Sequence, residues 1–128
     1  MEVIDLDILR PTPRAVKIAD KTIDVSFIPV AITFRVDEIT KKLFGFTTEQ
    51  LEKDPKAAEE AFRLSIRLCA LFCEHKYPEL NEAWFMANAT PGQIQVFAAQ
   101  ITQTLVESME GLSRYAAKNG EGAKGATS

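Results

Sequence analysis

The stretch Asp54–His75, DPKAAEEAFRLSIRLCALFCEH, limits what this chain can fold into more than any other. Asp followed by Pro is a helix start: Asp54 offers a side-chain acceptor to free amides, and Pro55 lacks an N–H that the first turn would leave unpaired anyway. Projected around a helix axis, Lys56, Glu59, Glu60, Arg63, Arg67, Ala70 and Glu74 fall within one wedge of roughly 100°. Phe62, Leu64, Ile66, Leu68, Cys69, Leu71, Phe72 and Cys73 fill most of the remaining circumference. A helix that is apolar around so much of its surface is enclosed by other elements. Its charges and length exclude a membrane span. The expectation is a central buried helix with a solvated strip, on which Glu59 and Arg63 form an i,i+4 pair.

A chain of 128 residues fits one domain that buries enough surface to need no disulfide or metal. Its 46% hydrophobic and 26% charged residues are ordinary for a globular protein. A net charge of −3 argues against a general nucleic-acid binder. Met1–Leu9 carries Glu2, Asp5 and Asp7 and no basic residue, so no secretory signal is expected there. Cys69 and Cys73 read as buried thiols in a reducing compartment, and the expected location is the cytoplasm.

Residues 1–13 are expected to form an arm or edge strand. In Val3–Leu9, Ile4, Leu6 and Ile8 alternate with Asp5 and Asp7, a period of two. Either this is a strand, or it becomes one on meeting a partner. Residues 14–117 form the expected α+β, mainly α domain, an N-terminal β-hairpin packed on four to five helices. The hairpin, within 14–28, is placed around Asp20-Lys21, with Ala19 opposite Thr22, Ile18 opposite Ile23, Val16 opposite Val25 and Lys17 opposite Asp24. Apolar then meets apolar and opposite charges meet; a four-residue loop in the same register remains open. Helices are expected at about 29–44, 47–53, 55–75, 78–89 and 91–117. Ile32, Val36, Ile39 and Leu43 line one face of the first, which Gly45 closes in a left-handed cap. Thr47–Gln50 and Thr90–Gln93 are capping boxes. Leu80, Ala83, Trp84 and Ala87 point inward on the fourth helix. Ile94, Phe97, Ala98, Ile101, Leu105, Met109, Leu112, Tyr115 and Ala116 share a face of the last. Residues 118–128, rich in Gly, Ala and Lys, are expected to be disordered.

The chain carries little chemical vocabulary. Cys69, Cys73 and His75 use zinc-type ligands, but a fourth is lacking, and the i,i+4 spacing differs from the C-x-x-C redox motif. The two thiols sit on the apolar arc, where free Cys acts as a small hydrophobe. His75 suits the end of its helix. Gly-rich phosphate loops, G-x-S-x-G, H-E-x-x-H and EF-hand loops do not occur. No catalytic residue, metal ligand or cofactor is therefore expected. Apolar residues off the core stripes remain: Val30 and Phe34 oppose the buried face of their helix, and Phe85 and Met86 flank Trp84. Aromatics and Met are enriched in binding patches, so Val30, Phe34, Trp84, Phe85 and Met86 are the candidate partner-binding residues.

Several local patterns resemble a known family. A hairpin runs into Phe27-Ile28-Pro29, then a helix ends in Leu43-Phe44-Gly45 and a long central helix follows. Then come Pro78-Glu79-Leu80-Asn81-Glu82-Ala83-Trp84, Asn88, and Thr90-Pro91-Gly92-Gln93 opening a final helix. Over Arg14–Tyr115 this is similar to the tail assembly chaperones of long-tailed bacteriophages and prophages. The resemblance implies a small helical protein that coats the aggregation-prone tape measure protein while tail tube subunits polymerise around it. Many such proteins also occur in a longer, frameshifted form. The implied partners are proteins, the tape measure protein and the tail tube protein, with a homo-oligomer compatible and neither nucleic acid nor membrane involved. Two other classes fit the same residues. One is a structural phage tail or head–tail connector protein, or a small helical protein-interaction module, whose Val3–Leu9 adds to a neighbour's sheet. The other is a zinc or redox protein using Cys69, Cys73 and His75.

Overall fold

The central helix forms where the sequence places it. In the computed structural model, which describes residues 1–118, Asp54 accepts hydrogen bonds from the amides of Lys56 and Ala57. The element order is a hairpin of β1 (Ala15–Ile18) and β2 (Lys21–Asp24), then α1 (Val30–Phe44), α2 (Thr48–Lys53), α3 (Pro55–Cys73), α4 (Glu82–Asn88) and α5 (Pro91–Lys118). The fold is α+β and mainly α. Within α3, Leu64, Ile66, Leu68, Cys69, Leu71, Phe72 and Cys73 are buried, and Glu59 pairs with Arg63 at 2.8 Å on the exposed strip. Helix α3 packs against α1 and α5, and also contacts α2 and α4. Both capping boxes form: Thr47 with Gln50 and Thr90 with Gln93 exchange side-chain and backbone bonds. Residues 119–128, the bulk of the tail expected to be disordered, lie outside the described residues; Lys118 is helical.

One aromatic cluster ties three helices together. Phe97 of α5 meets Phe72 of α3 edge-on at 6.0 Å and Phe85 of α4 at 5.8 Å, and Trp84 stands edge-on to Phe85 at 5.1 Å. The hairpin contributes Ile18, Ile23 and Val25 to the same continuous core. It is fastened to α5 by the buried Thr104 hydroxyl, 2.6 Å from the Val25 carbonyl oxygen. That bond satisfies a polar group that burial would otherwise leave costly.

Five local expectations are corrected. The hairpin register is Ile18 opposite Lys21, Lys17 opposite Thr22, Val16 opposite Ile23 and Ala15 opposite Asp24. The turn is Ala19-Asp20, both at positive φ (47° and 65°), a two-residue turn that matches the strand twist. Asp20, which tolerates the left-handed region, takes a turn position under either centring, and the second position falls to Ala19 rather than Lys21. The shift moves the pairing sum by two, so Val16, Ile18, Ile23 and Val25 keep one face. Ala19 is held there at a cost; Ala19→Asn with Asp20→Gly is expected to stabilise the protein by about 1 kcal/mol, read as a rise in thermal midpoint of roughly 4 °C or more.

Helix α4 begins at Glu82 rather than near residue 78, because Asn81 caps it by accepting from the Trp84 amide. Leu80 therefore sits in the preceding turn, and its direction is not coupled to the helix by 100° steps. Phe85 points inward and is fully buried, Trp84 is half-buried, and Ala83 and Ala87 are exposed. Gly45 closes α1 at φ −72°, in the right-handed region. Helix α3 stops at Cys73 instead of His75, where the Tyr77 amide turns back to the Cys73 carbonyl. The segment expected as a strand near the N-terminus is in part a short 3-10 turn, Leu6–Leu9, capped by Asp5, which accepts from the Asp7 amide. No residue of that turn is buried. Its backbone nevertheless rests on α5: a Cβ added at Gly111 would lie 2.5 Å from the Leu9 carbonyl oxygen, so glycine permits the approach.

The spacer between this turn and β1 is latched to α5. Pro11 is buried. Glu107 accepts from the Thr12 amide at 2.9 Å and from the Arg14 guanidinium. The Arg14 bond, then those from Thr12 and Gln103, hold the Glu107 carboxyl down to about 2. A depressed carboxylate stabilises the latched state above its unfolded value near 4.5, and that contribution disappears as pH falls from there through about 2. The Thr12 amide resonance should follow a transition with its midpoint near 2, and Glu107→Gln should remove it.

Candidate functional site

A groove opens where α1 and the second half of α5 run beside each other. Both helices pack on α3, but α5 is 28 residues long and α3 only 19. At 1.5 Å per residue, α5 is about 14 Å longer than its partner. Its apolar face continues beyond Leu105 with little to cover it. Met109 is 62% and Leu112 56% exposed, which corrects the expectation that the whole stripe is core. Ile94, Phe97, Ala98 and Ile101 are buried and Leu105 half-buried, as expected.

The groove has a volume of about 640 Å³. Phe34, Thr40 and Phe44 line it from α1, and Leu105, Val106 and Met109 from α5. Phe34 and Phe44 are 82% and 73% exposed. Scattered apolar side chains are normal on protein surfaces, but contiguous ones lining a cleft mark interaction sites. The polar margin on α1 carries Asp37 and Lys41, paired at 2.9 Å. On the α1 wall, Thr40 is buried, and its Oγ1 is the only buried side-chain polar atom among the described residues without a hydrogen-bond partner. An unmade bond of this kind costs roughly 1–3 kcal/mol.

The structure divides the predicted contact residues. Phe34 lines the groove, and Val30 is exposed one turn earlier on α1. Met86 is exposed on α4 but lines no part of the groove, and Trp84 is half-buried against Phe85. Phe85 is 0% exposed and has no surface to offer a partner; its inward direction follows from the late start of α4. Sequence reasoning missed Phe44, Val106 and Met109. Met109 is legible as a member of the apolar stripe of α5, but its exposure is set by packing.

Cys69 and Cys73 are buried and free. Burial, with the adjacent Cys73 next in effect, pushes the Cys69 thiol far up, and Cys69 Sγ lies 3.8 Å from the Ile94 carbonyl oxygen. Burial and then Glu79 push the Cys73 thiol up to about 12. Nucleophiles and zinc ligands are thiolates, and this setting opposes that form. His75 is exposed, edge-on to Phe72 at 6.4 Å. Among the described residues no group of three or more His, Cys, Asp or Glu side chains is placed to hold a metal ion, and no helix is long and apolar enough to cross a membrane. Compared with known proteins, the chain matches no family model, and no curated protein or solved structure proves similar to it.

Proposed function

We propose that this protein is a tail assembly chaperone of a long-tailed phage or prophage, which keeps the tape measure protein in solution by binding it in the α1/α5 groove. The observation that carries the reading is the run of exposed Phe34, Phe44 and Met109 along a cleft bounded by two helices. A holdase needs adaptable apolar surface; Met is flexible and polarizable, and aromatic rings supply large contact area. A cleft between two helices suits an amphipathic client helix, which lays its apolar face along the groove with anchors at i, i+3, i+4 and i+7. Tape measure proteins are long and helical, so they present many such faces.

Co-expression tests the proposal. The long helical protein encoded beside this chain should stay soluble when both are made together and precipitate when made alone. The chaperone should also be missing from purified phage particles. Its presence there as a stoichiometric component would identify a structural tail or connector protein instead.

A further inference from the structure

We propose that the Val3–Ile8 segment of a second copy of this chain adds as an antiparallel strand to the open edge of β1. The two edges of the hairpin are not alike. On the β2 side, the outward-facing Asp24 amide donates to the Tyr77 hydroxyl at 3.2 Å. On the β1 side, the backbone groups of Ala15 and Lys17 point away from β2, as their places in the register require, and no protein group among the described residues pairs with them. An unpaired edge is a template for another strand. Beside it lies a cleft of about 460 Å³ between β1 and the start of α5, lined by Val16, Ile18, Val96 and Phe97. Val96 is exposed on its wall.

The Met1–Leu9 segment is complementary to this edge in period and in charge. Its Val3, Ile4, Leu6 and Ile8 are all exposed, and no residue of its short turn is buried, so a change to strand gives up only the backbone contact of Leu9 with α5 and no buried side chain. With Lys17 opposite Asp5, Ile18 falls opposite Ile4, Val16 opposite Leu6, and Ala15 opposite Asp7. The apolar residues then share the face that looks into the cleft, and an acidic side chain meets Lys17 on the other face. Lys17 blunts the edge against indiscriminate pairing, and an acidic strand converts that deterrent into recognition. The segment cannot serve its own β1. Buried Pro11 and the bonds of Thr12 and Arg14 to Glu107 hold the spacer on α5, and Asp7 and Arg10 share a cleft with Asp24 and Phe27, not with β1. The donor is therefore another copy, an exchange of a short element between protomers.

Light scattering after size-exclusion chromatography tests this. The full chain should run as a dimer or larger assembly that dissociates on dilution. Deleting residues 2–8 should give a monomer that keeps the helical circular dichroism of the full chain, with a thermal midpoint that no longer depends on protein concentration. Lys17→Glu should weaken association about tenfold, and adding Asp5→Lys with Asp7→Lys should restore it. A full chain that stays monomeric at about 1 mM, a concentration at which even weak association is visible, would overturn the inference. So would an assembly that survives the deletion, or a charge reversal that the second reversal fails to rescue.

Discussion

Replacing Phe34 and Met109 together by aspartate is expected to abolish the protein's hold on the tape measure protein while leaving its fold intact. Both side chains are largely exposed, and exposed substitutions usually change stability by no more than about 0.5 kcal/mol. The thermal midpoint should therefore stay within about 5 °C of the parent. Binding responds differently, because an apolar client helix would have to strip water from two carboxylates. Central interface residues commonly contribute 2 kcal/mol or more each, so the loss is expected to be about a thousandfold in affinity. Isothermal titration against a soluble tape measure segment measures it. Met86→Asp is the control: Met86 is as exposed as Phe44 but lies outside the groove, and its replacement should leave affinity unchanged.

Phe85→Ala is expected to have the largest effect on stability. Phe85 is fully buried and is packed between Trp84 and Phe97, where truncation leaves a cavity as well as losing transfer free energy. Such changes cost roughly 3–5 kcal/mol, against a total of about 5–15 kcal/mol for a typical domain. The thermal midpoint should fall by roughly 10–20 °C, measured by circular dichroism or calorimetry. A change of only a few degrees would mean that α4 is not locked onto α3 and α5 through this ring. Any loss of client binding by this variant reports unfolding, which separates it from the groove variant, whose fold survives.

How legible the molecule is from its residues depends on which interactions are local. Asp54-Pro55, Thr47–Gln50 and Thr90–Gln93 start helices because each cap is made by residues within a single turn. The buried faces of α1 and α3 follow from a period of 3.6 sustained over several turns. The hairpin faces are readable, since any shift that keeps the parity keeps Val16 and Ile18 inward. The register itself is not: Asp20 accepts positive φ under either centring, so the turn residues do not choose between Ala19 and Lys21 as its neighbour. Helix α4 is misread because the Asn81 cap competes with Pro78 as the start, and the later start turns Phe85 into the core. The groove is the least legible feature. It lies between α1 and α5, both of which pack on α3, and so depends on packing that no single helix records. Phe34 is nonetheless visible in advance as an aromatic residue opposed to its helix's buried stripe, whereas Phe44 is not.

Hydrogen exchange by mass spectrometry, on the protein alone and with a soluble helical tape measure segment, tests the central claim most directly. The account predicts slower exchange across the groove-facing parts of α1 and α5, from Thr33 to Phe44 and from Thr102 to Ser113, with α4 unchanged. Slowing confined to α4 around Met86, or none in either helix while the segment is bound, would contradict it.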